Sequence, residues 1–62
     1  MNDRETSILR LMAAGLSNRE IAEELYLSTN TIKWYGSQIY GKLGVKKRAE
    51  AVDRAHELGI LG

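Results

Sequence analysis

The sequence has no cysteine, no proline and no phenylalanine, and it carries a single histidine, His56. Without cysteine, neither a disulfide nor a thiolate zinc site can brace the fold. One histidine leaves no multi-histidine metal cluster, so no metal and no other cofactor is expected. No run of 18 or more apolar residues is present, and no basic-then-apolar N-terminus marks a signal peptide. These absences lead to the expectation of a soluble, cytoplasmic-type domain with no membrane partner. Sixty-two residues make one domain. A chain of this size buries only about 60% of the surface its unfolded form exposes, which leaves a thin stability margin. The core must therefore rest on aliphatic side chains, within a hydrophobic content of 44%.

Acid is missing from one stretch. Residues 29–48 hold Lys33, Lys42, Lys46, Lys47 and Arg48 with no carboxylate, a local charge of +5 inside a net charge of +1. The flanks compensate: residues 1–28 set Arg4, Arg10 and Arg19 against Asp3, Glu5, Glu20, Glu23 and Glu24, and residues 49–62 set Arg54 against Glu50, Asp53 and Glu57. An acid-free basic stretch is the electrostatic footprint of a nucleic-acid face. A solvated lysine-rich surface gives the same count, so charge alone decides nothing.

Capping signals divide the chain into four helical segments. In "NDRE", Asn2 and Glu5 have the spacing of a capping box, and Ile8, Leu9, Leu11 and Met12 then share one arc of the wheel. Gly15 suits the left-handed stop, with Leu16 packing back toward Leu11. In "SNRE", Ser17 and Glu20 repeat the capping box ahead of Ile21, Ala22 and Leu25. Ser28 is placed to cap a third helix running to Leu43, where Gly44 offers a stop. A fourth runs over about residues 47–58, with Ala51, Val52, Ala55 and Leu58 as its apolar stripe and Gly59 at its end. Nothing alternates with period two, so the expected fold is a compact all-α, four-helix domain spanning residues 1–62.

Only "YLS" separates the second and third helices. So tight a joint forces a steep crossing, the geometry of a helix-turn-helix over about residues 18–37. In that motif the second helix of the pair lies in the DNA major groove. An ordinary helical corner has the same spacing. The wheel of the third helix, residues 29–43, adds detail at about 100° per residue. Ile32, Tyr35, Gly36, Ile39 and Leu43 fall on one side. Asn30, Lys33, Trp34, Ser37 and Gly41 fall on the other, with Gln38 at the edge. An outward tryptophan in the most basic region has three readings: a lid over a small core, a protein contact, or a DNA contact. Gly36 on the inner side suggests close approach of another helix, and Gly41 on the outer side close approach of a phosphate.

The pieces "GLSNREIAEEL", "S..TIK" and "IYGKLGV", with this spacing, resemble the LuxR-type helix-turn-helix domain, the DNA-binding module of many bacterial transcription regulators. The similarity runs from Met1 through about Leu61, and "TIKW" and "IYGKLGV" are similar to modules that end large ATP-dependent regulators. The resemblance implies that the third helix reads double-stranded DNA, with the chain binding as a dimer to roughly palindromic sites. It implies base contacts from Lys33, Trp34 and Ser37, with Asn30 beside them. Phosphate contacts are implied at Ser17, Asn18, Ser28, Thr31, Lys42, Lys46 and Lys47. The fourth helix, with Ala49, Val52, Asp53 and His56 on its flank, is the implied surface of a weak homodimer.

Four positions depart from the family pattern. Tyr35 stands where His is frequent, Gly36 where a bulkier residue is usual, and Ser37 where Lys is frequent. Lys47 stands where Ser, Asn or Asp usually caps, and a lysine neither caps nor suits the positive end of a helix. A nearby phosphate would relieve that conflict. The alternative function is a helical protein-interaction module in which the Trp34 face anchors a partner helix or an RNA polymerase subunit. An enzyme is not expected, because no nucleophile–base–orienter set, paired-carboxylate cleft or phosphate-cradling loop is visible. No small-molecule ligand is expected in this segment either.

Overall fold

The computed structural model describes residues 1–61. It contains α1 (Asp3–Ala13), α2 (Asn18–Leu25), α3 (Thr29–Leu43) and α4 (Arg48–Glu57), and no strand among the described residues. The all-α, four-helix expectation holds, with each end within about a residue of its expected place.

The starts are set by side chains that satisfy orphan amide groups. Asn2 Oδ1 accepts from the Glu5 amide at 2.8 Å while Glu5 Oε1 accepts from the Asn2 amide at 3.1 Å. Ser17 and Glu20 repeat the exchange at 3.2 and 2.9 Å. Ser28 Oγ accepts from the Thr31 amide at 3.1 Å. The end of α1 requires Gly15 at φ +92°, which lets the Leu16 amide reach back to the Leu11 carbonyl at 3.1 Å. The end of α2 is less expected. Tyr26 takes the left-handed conformation at φ +58° with its side chain 95% exposed. An L-residue pays about 1–2 kcal/mol there. The turn delivers Leu27 to the core edge and Ser28 to the start of α3.

Every helix contributes to one core: Ile8, Leu9 and Met12 from α1, Ile21 and Ala22 from α2, Ile32, Ile39 and Leu43 from α3, and Ala51 and Ala55 from α4. Helix α3 packs against α1, α2 and α4, whereas α2 and α4 do not pack on each other. Two expectations about this core need correction. Leu58 is 54% exposed rather than part of the α4 stripe. The helix stops at Glu57, and Gly59 at φ +73° turns the chain so that Ile60 packs instead, its amide bonded to the Ala55 carbonyl at 3.0 Å. Gly36 is buried as expected, but no neighbouring backbone demands a glycine. A methyl group there would meet Met12 Cε at 3.8 Å, an ordinary contact.

Candidate nucleic-acid interface

Burial of one side of α3 decides what its other side presents. Ile32, Gly36, Ile39 and Leu43 are buried and Tyr35 is half-buried. Asn30, Lys33, Trp34, Ser37, Gln38 and Gly41 are exposed. The expected angular split is therefore the observed one, and the four candidate base-reading residues share a single outward strip. Trp34 is 58% exposed, which removes the core-lid reading. Its ring still meets the ring of Tyr35 edge-on, with centroids 5.0 Å apart at 76°. That contact restrains the orientation of an indole that otherwise faces solvent.

The candidate phosphate residues lie at three helix starts. Ser17 is exposed and Asn18 half-buried at the start of α2. Glu20 Oε1 is held by the Ser17 amide, and the carboxyl is kept below its ordinary value first by that bond, then by the Ser17 hydroxyl, with the Arg48 charge assisting against desolvation. At the start of α3, the hydroxyls of Ser28 and Thr31 lie 2.8 Å apart. At the start of α4, Lys47 makes no side-chain cap. Glu50 does this work instead, its Oε1 accepting from the Lys47 amide at 3.1 Å and the Lys46 amide at 3.4 Å. Both lysine side chains remain exposed.

The acid-free run does not act as one surface. Lys42 Nζ donates to Glu5 Oε1 at 2.7 Å and Oε2 at 2.8 Å. Glu5 is only 2% exposed, so this ammonium neutralises a buried carboxylate. The Lys42 hydrogen bonds lead the causes that hold the Glu5 carboxyl below its ordinary value, the Asn2 amide adds to them, and burial opposes both. Lys42 is therefore a fold contact, although its side chain stays half exposed to solvent. Arg48 is likewise turned inward, its guanidinium donating to the Met12 carbonyl at 3.2 Å and to the Leu16 carbonyl. Lys33, Lys46 and Lys47 form no ion pair among the described residues.

On α4, Ala49, Asp53 and His56 are exposed, and Val52 is half-buried against the core. Among the described residues no three His, Cys, Asp or Glu side chains could hold a metal ion, no ligand-sized pocket opens, and no helix is long and apolar enough to cross a membrane.

A helix-turn-helix framed by two further helices, with a basic and aromatic outer strip on its second helix, defines the class to which the comparisons also point. The family model for bacterial regulatory proteins of the luxR family matches residues 1–55. The Fimbriae Z protein of Escherichia coli K12 is 47% identical over 55 residues, covering 89% of this chain and 26% of that protein. The transcriptional regulatory protein DesR of Bacillus subtilis is 44% identical over 59 residues, covering 95% of this chain and 30% of that protein. Among solved structures, the response regulator ChrA of a heme-sensing two-component system superposes with a TM-score of 0.94 at 39% identity, over 95% of this chain and 29% of that one. This chain belongs to the luxR family of bacterial regulatory proteins and is a DNA-binding helix-turn-helix domain of that family. It spans under a third of the length of these relatives.

Three features escaped the sequence reading: the burial of Glu5, the inward turn of Arg48 and the left-handed Tyr26. For Glu5 a signal was present, since it lies three, four and seven residues before Ile8, Leu9 and Met12, on the buried stripe itself. For Arg48 and Tyr26 no local pattern distinguishes the observed state.

Proposed function

We propose that this domain binds duplex DNA sequence-specifically in the bacterial cytoplasm, as the output module of a transcription regulator, with α3 in the major groove. The observation that carries the reading is the outward strip of α3, where Asn30, Lys33, Trp34 and Ser37 are exposed while the opposite face is locked into the core. Lys33 supplies a donor for base acceptors, Ser37 and Asn30 supply smaller polar groups, and Trp34 offers apolar surface to a thymine methyl. Ser17, Asn18, Ser28 and Thr31 at helix N-termini, with Lys46 and Lys47, hold the phosphates that set register. Two copies meet weakly through the flank of Ala49, Val52, Asp53 and His56 when DNA brings them together on a near-palindromic site.

Selection from random duplexes, repeated with Lys33→Ala and Trp34→Ala, tests the reading face. The expected result is a defined preferred sequence that changes in both variants; an unchanged preference would contradict the assignment. Salt separates this function from a protein-docking role for Trp34, because phosphate neutralisation weakens steeply with salt and an apolar contact does not.

A further inference from the structure

Arg48 is the first residue of α4, directly after Lys47, and its side chain reaches across to the end of α1 and the α1–α2 turn. Its guanidinium donates to the Met12 carbonyl in the last turn of α1 and to the Leu16 carbonyl, one residue before the cap of α2. A cation placed on carbonyls at a helix C-terminus complements the dipole there, so the contact favours a fixed position for the α1–α2 turn. The turn in question ends in Ser17 and Asn18, and the residues just before Arg48 are Lys46 and Lys47. The charge of Arg48 also acts on Glu20, the partner of Ser17 in the α2 capping box. Helices α2 and α4 make no packing contact with each other, so the relation of their N-termini is otherwise set only through α1 and α3.

We propose that Arg48 is a positioning residue for DNA binding: its guanidinium ties the start of α4 to the start of α2, so that Lys46–Lys47 and Ser17–Asn18 approach the phosphates as one rigid pair of clamps. This rests on the duplex-binding reading above, and it gives Arg48 no phosphate of its own. Both bonds leave one nitrogen, Nη2, at the far end of the guanidinium, so the reach of that end matters. A lysine keeps the charge, but its compact ammonium sits on a stem that ends short of the place Nη2 occupies.

The test compares the 62-residue chain with Arg48→Lys and Arg48→Gln, each crossed with Asn18→Ala and Lys47→Gln. Fraction folded is followed by circular dichroism, amide exchange is read without DNA, and affinity is measured on the selected duplex across salt. If Arg48→Gln does not fold, Arg48→Lys carries the exchange, affinity and additivity arms. The expected result is faster exchange confined to the first turn of α2 and the α1–α2 turn. Folded Arg48→Lys and Arg48→Gln should lose about tenfold in affinity with the salt slope retained, and the loss from Asn18→Ala should shrink in their background. Full wild-type affinity in Arg48→Lys overturns the proposal, as do strictly additive losses. A slope reduced by about 0.9 in Arg48→Gln also overturns it, since that marks a direct phosphate contact. Failure of the underlying reading looks different: the unmodified chain itself then binds no duplex.

Discussion

Lys42 and Lys47 lie five positions apart in one acid-free run, yet they occupy opposite ends of what a cation does in a protein. Lys42 neutralises Glu5, a carboxylate held out of water at the base of α1. Lys47 stands exposed at the start of α4, where the helix dipole disfavours it and no carboxylate pairs with its ammonium among the described residues. Arg48 sides with Lys42, whereas Lys33 and Lys46 side with Lys47. A basic stretch is thus two populations. One is paired within the fold, and the other is exposed without an ion-pair partner among the described residues.

Removing a member of each population should give opposite signatures. The largest stability effect is expected at the buried pair. Lys42→Ala strands the Glu5 carboxylate and should cost roughly 1–3 kcal/mol in urea unfolding, with the salt slope of duplex binding unchanged. Acid should reproduce that loss. Because the folded-state value of Glu5 is lowered, the pair's stabilisation is complete above the ordinary carboxylate value of 4.5 and disappears as pH falls through the lower folded value. Glu5→Gln should flatten this acid limb in urea midpoints measured between neutral and strongly acidic pH.

The second population should respond only to DNA. Lys46→Gln and Lys47→Gln are expected to leave stability within about 0.5 kcal/mol of wild type, while each lowers the salt slope by about 0.9. Charge reversal at both should weaken binding further, and an untouched slope there would remove them from the phosphate set. A further pair of variants separates the two glycines of α3. Gly36→Ala and Gly41→Ala should each stabilise the fold by about 1 kcal/mol through helix propensity, because neither position has a close neighbour. Only Gly41→Ala, on the outer strip, should weaken duplex binding.

Much of this was readable from local rules. The capping boxes at Asn2–Glu5 and Ser17–Glu20, the stop at Gly15 and the two faces of α3 all follow from contacts within a few residues, which short-range spacing encodes. What stayed hidden depends on distance. Lys42 reaches a residue 37 positions away and Arg48 residues 32 and 36 positions away, so no window on the sequence joins them. Leu58 failed for a related reason: its wheel angle was right, but the helix ended one residue before it and Gly59 sent Ile60 to the core instead. Trp34 was legible as outward, while its edge-on contact with Tyr35 required coordinates.

The two populations of cations should differ most in how they shape the salt dependence of duplex binding. The slope of log affinity against log salt, on a selected duplex, should be compared between Lys42→Gln and Lys47→Gln at a temperature where both are folded. The slope should be lower by about 0.9 for Lys47→Gln and unchanged for Lys42→Gln. Equal losses of slope in the two variants would contradict the division of the cations.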